Sequence, residues 1–138
     1  IVPEACSTWF LPRIVGIPRA LEWIYYADMI PLDEARDTGL VREIVPADAL
    51  LARAAEIARR FTDRRSPVAT ALARQMLYRN SAAPDPLAAH RIDSLAMFYT
   101  SVGDGVEGVA AFREKRDQRF SGRASEMPPF YPWWQSKA

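Results

Sequence analysis

The sequence predicts a mainly α chain with at most one or two short strands. Three observations carry this. Apolar residues recur at helical spacing through most of the chain, prolines and glycines fall at the ends of those patterns, and a single short run reads as strand. At 138 residues the chain is one domain's worth, enough for one modest core. Its 49% hydrophobic and 25% charged residues are ordinary for a globular protein. A net charge of +1 gives no global field pointing to nucleic acid. The clusters Arg59-Arg60, Arg64-Arg65 and Arg113 to Arg119 sit among acidic residues and read as wet helix faces. The single cysteine, Cys6, excludes an internal disulfide framework and suits a reducing, cytoplasmic setting. One cysteine with one histidine, His90, argues against a structural zinc site, so no metal site is expected. No apolar run approaches membrane-spanning length, and no membrane partner is expected.

Taken in order, residues 5–16 carry Trp9, Phe10, Leu11, Ile14 and Val15 as a short helix closed by Gly16, with a kink or early break expected at Pro12. Ala20, Leu21, Ile24 and Tyr25 place a second helix over 18–27. Residues 32–38 form a helical turn or two, ended by Gly39 at a position glycine favours. Residues 40–45, Leu-Val-Arg-Glu-Ile-Val, are the strand candidate, stopped by Pro46. Leu50, Leu51, Ala54, Ile57, Ala58 and Phe61 give a long helix over 47–64. Ser66-Pro67 reads as the N-cap and first residue of a helix to about Asn80 that turns Val68, Ala71, Leu72 and Met76 inward. Asp85-Pro86 opens another, with Leu87, Ile92, Leu95, Ala96 and Tyr99 on one side. Asp104 and Glu107 are spaced as the capping box of a last helix. Beyond Gly122 the prolines forbid regular structure. Phe130, Tyr131, Trp133 and Trp134 are enough apolar surface to predict packing on the body or on a neighbouring subunit.

Two places invite chemistry. Phe112 and Lys115, three apart near a basic helix end, place a flat ring beside a movable ammonium, a pairing that suits a ligand with a planar base and phosphates. Arg119 follows at the next step if the helix runs that far. The same residues also suit a plain solvated helix end, whose cations favour the negative pole of the dipole. Glu4 stands just before Trp9 and Phe10; a carboxylate against an apolar wall can move protons, and a carboxylate ahead of a helix can equally be there for the dipole. The other candidates read as structural. Cys6 is a small packing residue, Ser7 a helix cap, His90 an uninvolved helix residue, Met76 and Met97 core filler, and Tyr25, Tyr26, Tyr78 and Tyr99 partly buried.

Three stretches, in this order and spacing, carry a resemblance: Ile1-Val-Pro-Glu-Ala-Cys-Ser-Thr-Trp-Phe-Leu-Pro-Arg-Ile-Val-Gly16; Glu34-Ala35, Gly39-Leu40-Val41 and Ile44-Val45-Pro46; and Glu107-Gly108 followed by Ala111-Phe112-Arg113-Glu114-Lys115-Arg116. Over residues 1–122 the chain resembles the C-terminal half of the crotonase superfamily, the enoyl-CoA hydratase/isomerase family. The resemblance implies the C-terminal helical part of the crotonase-like α/β spiral fold. In it, 1–46 form the edge of the core with the Pro-Glu segment, 47–122 a helical trimerisation domain, and 123–138 an aromatic, proline-rich tail. It also implies an acyl-CoA thioester substrate reacting through an enolate, with coenzyme A entering as part of the substrate and no prosthetic group. By the same resemblance, Glu4 matches the single glutamate that shuttles the proton in isomerases, and Phe112 and Lys115 match the pair that reaches the adenosine and phosphate end of coenzyme A. The implied assembly is a trimer or a dimer of trimers.

The opening at Ile1, in mid-pattern, reads as the continuation of a longer sequence. The backbone amides that stabilise the enolate oxygen belong, in the family, to the other half, so these residues alone are expected to be inactive. The alternative is a helical oligomerisation or binding module that keeps the family's sequence without its chemistry.

Overall fold

The computed structural model describes residues 2–126, and its chain divides into two compact units, residues 1–52 and 53–138. The expectation for the aromatic tail at Phe130, Tyr131, Trp133 and Trp134 falls outside the described residues.

In the first unit, α1 (Ser7–Val15) packs on α2 (Ile17–Tyr26), and α3 (Leu32–Asp37) follows. Gly16 ends α1 at φ 79° while its carbonyl accepts the N–H of Ala20, so one glycine closes one helix and starts the next. Pro12 sits inside α1 without ending it. Ala20 and Ala35 are the buried residues of this unit. α3 is tied to α2 through Glu34, whose Oε1 accepts from Trp23 Nε1 at 3.1 Å and from Arg19 Nη1 at 2.7 Å. Gly39 follows α3 at φ 80°, as its place in the sequence requires.

Residues 40–45 correct the sequence reading. They form a bend and an irregular stretch, and no strand occurs among the described residues. A strand exists only by pairing, and local composition cannot supply the partner. A 3-10 turn, Ala47–Ala49, then leads into α4 (Leu50–Thr62), which carries the boundary between the units. The α4 stripe is helical as predicted, yet it buries nothing, with Leu51 82% exposed.

The second unit contains the larger core. α5 (Pro67–Asn80) packs on α6 (Pro86–Val102), and α6 packs on α7 (Asp104–Glu114). Val68, Leu72 and Ala96 are buried at the centre, with Met76, Ile92 and Tyr99 packed around them. Both N-caps stand as the sequence reads. Ser66 Oγ accepts from the Ala69 N–H at 3.0 Å, and Asp85 Oδ1 accepts from the Ala88 N–H at 2.9 Å. On α6 the small Ala96 is buried where Leu87 and Leu95 remain exposed, because close approach of two helices favours a short side chain at the crossing. Met97, Tyr25, Tyr26 and Tyr78 are also exposed, against expectation. Helical period names a face but does not say which part of it is covered.

Among the described residues Leu72 is the one large side chain that is fully buried. Leu72→Ala is expected to cost roughly 3 kcal/mol, read as a lowered urea midpoint with an unchanged slope.

Candidate functional site

Glu4 precedes α1 on a tight turn. Ala5 and Cys6 both adopt left-handed backbone, at φ 55° and 59°, and the Glu4 carbonyl accepts from the Ser7 N–H at 3.1 Å and from Ser7 Oγ at 2.7 Å. Ser7 is therefore the first helical residue, and Cys6 stands at the N-cap position with no side-chain capping bond. Cys6 is exposed, not packed. Glu4 is exposed too, so the apolar wall suggested by its neighbours is not closed among the described residues. Trp9 meets Phe10 edge-on with ring centres 4.7 Å apart and carries the Arg13 guanidinium 3.9 Å above its ring.

At the other candidate, α7 ends at Glu114 and Lys115 takes the C-cap position in left-handed backbone, φ 53° and ψ 40°. Glycine is the usual occupant of such a cap; a side chain there costs on the order of 1 kcal/mol. The helix thus stops before Arg119, and the three-step ladder from Phe112 through Lys115 to Arg119 does not form. Phe112 is 79% exposed, Lys115 is exposed, and the Lys115 ammonium has no ion-pair partner among the described residues. His90 is an exposed residue of α6.

Asp104 and Glu107 form no capping box. The N-cap is Gly103, and both carboxylates reach away from the helix start. Asp104 Oδ2 accepts from Ser66 Oγ at 2.6 Å, and Oδ1 accepts from the Gly122 N–H at 3.1 Å. A methyl group at Gly122 would lie 2.6 Å from Asp104 Oδ2 and 2.9 Å from Val68 Cγ2, so the returning chain comes this close only as glycine. Glu107 holds Arg116 in a bidentate pair at 2.6 and 2.9 Å and accepts the Arg119 N–H at 2.6 Å. Arg116 Nε also donates to Glu114 at 2.6 Å. These residues were missed as a group. Ser66 and Asp104 are 38 positions apart, and only folding brings them together.

A cleft of about 630 Å³ opens beside these tethers, lined in part by Tyr99, Thr100, Asp104, Glu107 and Gly122; neither Phe112 nor Lys115 lines it.

The sequence pattern of the enoyl-CoA hydratase/isomerase family matches residues 1–123, through both candidate segments. The chain belongs to that family. It is 36% identical over 130 residues to an enoyl-CoA hydratase of Alternaria alternata, covering 92% of this chain and 43% of that protein. It is 30% identical over 123 residues to the 2,3-dehydroadipyl-CoA hydratase of Escherichia coli, covering 89% and 48%. Among solved structures, the enoyl-CoA hydratase of Bacillus anthracis superposes with a TM-score of 0.81 at 33% identity, over 89% of this chain and 47% of that one. This enoyl-CoA hydratase/isomerase family chain spans about half the length of the curated relatives it matches.

Electrostatics single out Glu107. The Arg116 guanidinium first, and the Arg119 N–H second, pull its carboxyl down from 4.5 to about 2. Arg116 is correspondingly held protonated, above its ordinary value, chiefly by Glu107. Because the folded carboxyl has the lower pKa, its stabilising contribution is complete above about pH 4.5 and is lost as the pH falls toward 2. Urea midpoints measured down this range are expected to fall in wild type. In Glu107→Gln they are expected to be lower at neutral pH and flatter through the acid limb.

Proposed function

We propose that the protein containing this chain acts on acyl-CoA thioesters through an enolate, with Glu4 as proton carrier and Phe112 and Lys115 as the clamp on the nucleotide end of coenzyme A. The observation that carries this reading is the family match, which spans residues 1–123 and so includes both the Pro-Glu segment and the helix capped by Lys115. An exposed aromatic ring and an ion-pair-free ammonium at one helix end support the clamp. Coenzyme A enters as part of the substrate, and no prosthetic group is invoked.

An exposed Glu4 suits a proton carrier whose apolar wall is completed by other residues. The amides that stabilise the enolate oxygen are assigned to residues other than these 138, so these residues alone should not turn over substrate. A trimer or dimer of trimers, in a reducing compartment, completes the proposal. It is supported by the apolar faces left exposed on α6 and α7, including Met97, Phe98, Val102, Val106 and Val109. Among the described residues no helix is long and apolar enough to cross a membrane. The alternative of a non-catalytic helical module is the weaker reading, since the relatives cited above are named as hydratases.

In the intact protein, Glu4→Gln is expected to lower enoyl-CoA isomerisation by about 100-fold or more, measured as double-bond migration or as deuterium exchange next to the thioester. Unchanged turnover would remove Glu4 from the mechanism. Lys115→Ala is expected to raise KM for the CoA ester more than it lowers kcat, because the clamp touches a remote, non-reacting part of the substrate.

A further inference from the structure

Lys115 is a lysine where helices usually place a glycine. Its backbone turns left-handed at φ 53°, and its N–H reaches back to the carbonyls of Ala111 and, over a long 3.4 Å, Phe112. Bonds from beyond the helix add to this local closure. The chain on its far side is fastened at two points to a single side chain. Arg116, the next residue, is clasped through its guanidinium by both Glu107 oxygens, and Arg119, four residues on, gives its backbone N–H to Glu107 Oε1. The Arg116 N–H also closes onto the Ala111 carbonyl at 3.1 Å. Glu107 therefore ties the returning chain to the flank of α7, and Lys115 is the hinge of that return. The same clasp neutralises Arg116 with Glu107 and Glu114, leaving Lys115, three positions after the exposed Phe112, as a cation with no ion-pair partner among the described residues.

We propose that Glu107 is a positioning residue for Lys115: by clasping Arg116 and the Arg119 amide it fixes the left-handed turn that aims the lysine, and so sets affinity for the phosphorylated nucleotide end of the substrate without touching it. This rests on reading Phe112 and Lys115 as the nucleotide clamp and adds the element that orients it. It gives Glu107 no part in the chemical step.

The test compares a full CoA thioester with the corresponding pantetheine thioester, which lacks the nucleotide, in the intact protein. Glu107→Gln is expected to raise KM for the CoA ester roughly fivefold, the scale of one partly exposed charge contact, while KM for the pantetheine ester and kcat for both stay within about twofold. Arg116→Gln, which removes the other half of the clasp, is expected to give the same split and serves if Glu107→Gln fails to fold. In a Lys115→Ala background, Glu107→Gln should add no further rise in KM, since the two substitutions act through one contact. Equal losses on both thioesters, or additive effects in the double variant, would reduce Glu107 to a stability residue and overturn the proposal. If Lys115→Ala alone leaves the CoA ester KM unchanged, the clamp reading itself fails. If it raises KM while Glu107→Gln and Arg116→Gln do not, only the positioning role fails.

Discussion

Glu107 binds the chain beyond its own helix at two places, and the geometry of the basic end depends on that double attachment. A bidentate carboxylate–guanidinium pair is directional as well as strong, so it fixes an angle where apolar contact would fix only proximity. Without it, the left-handed lysine at the end of α7 would rest on the backbone bonds to Ala111 and Phe112 alone. Asp104, one turn earlier, fastens the next stretch by joining the Ser66 cap of α5 to the Gly122 amide. The two acids convert the stretch from Arg116 to Gly122 from a trailing end into a strap across the second unit.

Polar tethers carry this much because the core is small. Among the described residues the buried hydrophobic ones are Ala20, Ala35, Val68, Leu72, Ala96 and Ala111, and four of these six are alanines. Alanines let helices approach closely but remove little area from water. Most of the large apolar side chains lie outside, from Phe10 and Ile14 on α1 to Phe98 on α6 and Phe112 on α7. Surface of that kind is what interfaces cover, and the chain spans about half the length of the curated relatives it matches.

What was legible in the sequence was local. Ser66-Pro67 and Asp85-Pro86 open helices because a short oxygen-bearing side chain followed by proline satisfies the first turn within four residues. Gly39 takes positive φ because few other residues can. Where the readings failed, a non-local partner prevailed over a local signal. Asp104 and Glu107 have capping-box spacing, but Ser66, Arg116 and the amides of Arg119 and Gly122 engage them instead. Leu40 to Val45 has strand composition and no strand beside it among the described residues. Tyr25, Tyr78 and Met97 lie on helices as expected and face outward, since period does not reveal what covers a face.

By itself the sequence determined the helices, most of their ends and the family, because each of these is written in spacing a few residues long. Only the tertiary structure decided what those residues are attached to. It ended α7 at Glu114, turned Lys115 into a left-handed cap, left Glu4 exposed, and gave the acids of α7 a task at the far end of the helix. The reason is that a hydrogen bond or ion pair is fixed by distance in space, and partners as far apart as Ser66 and Asp104 meet only after the helices have packed.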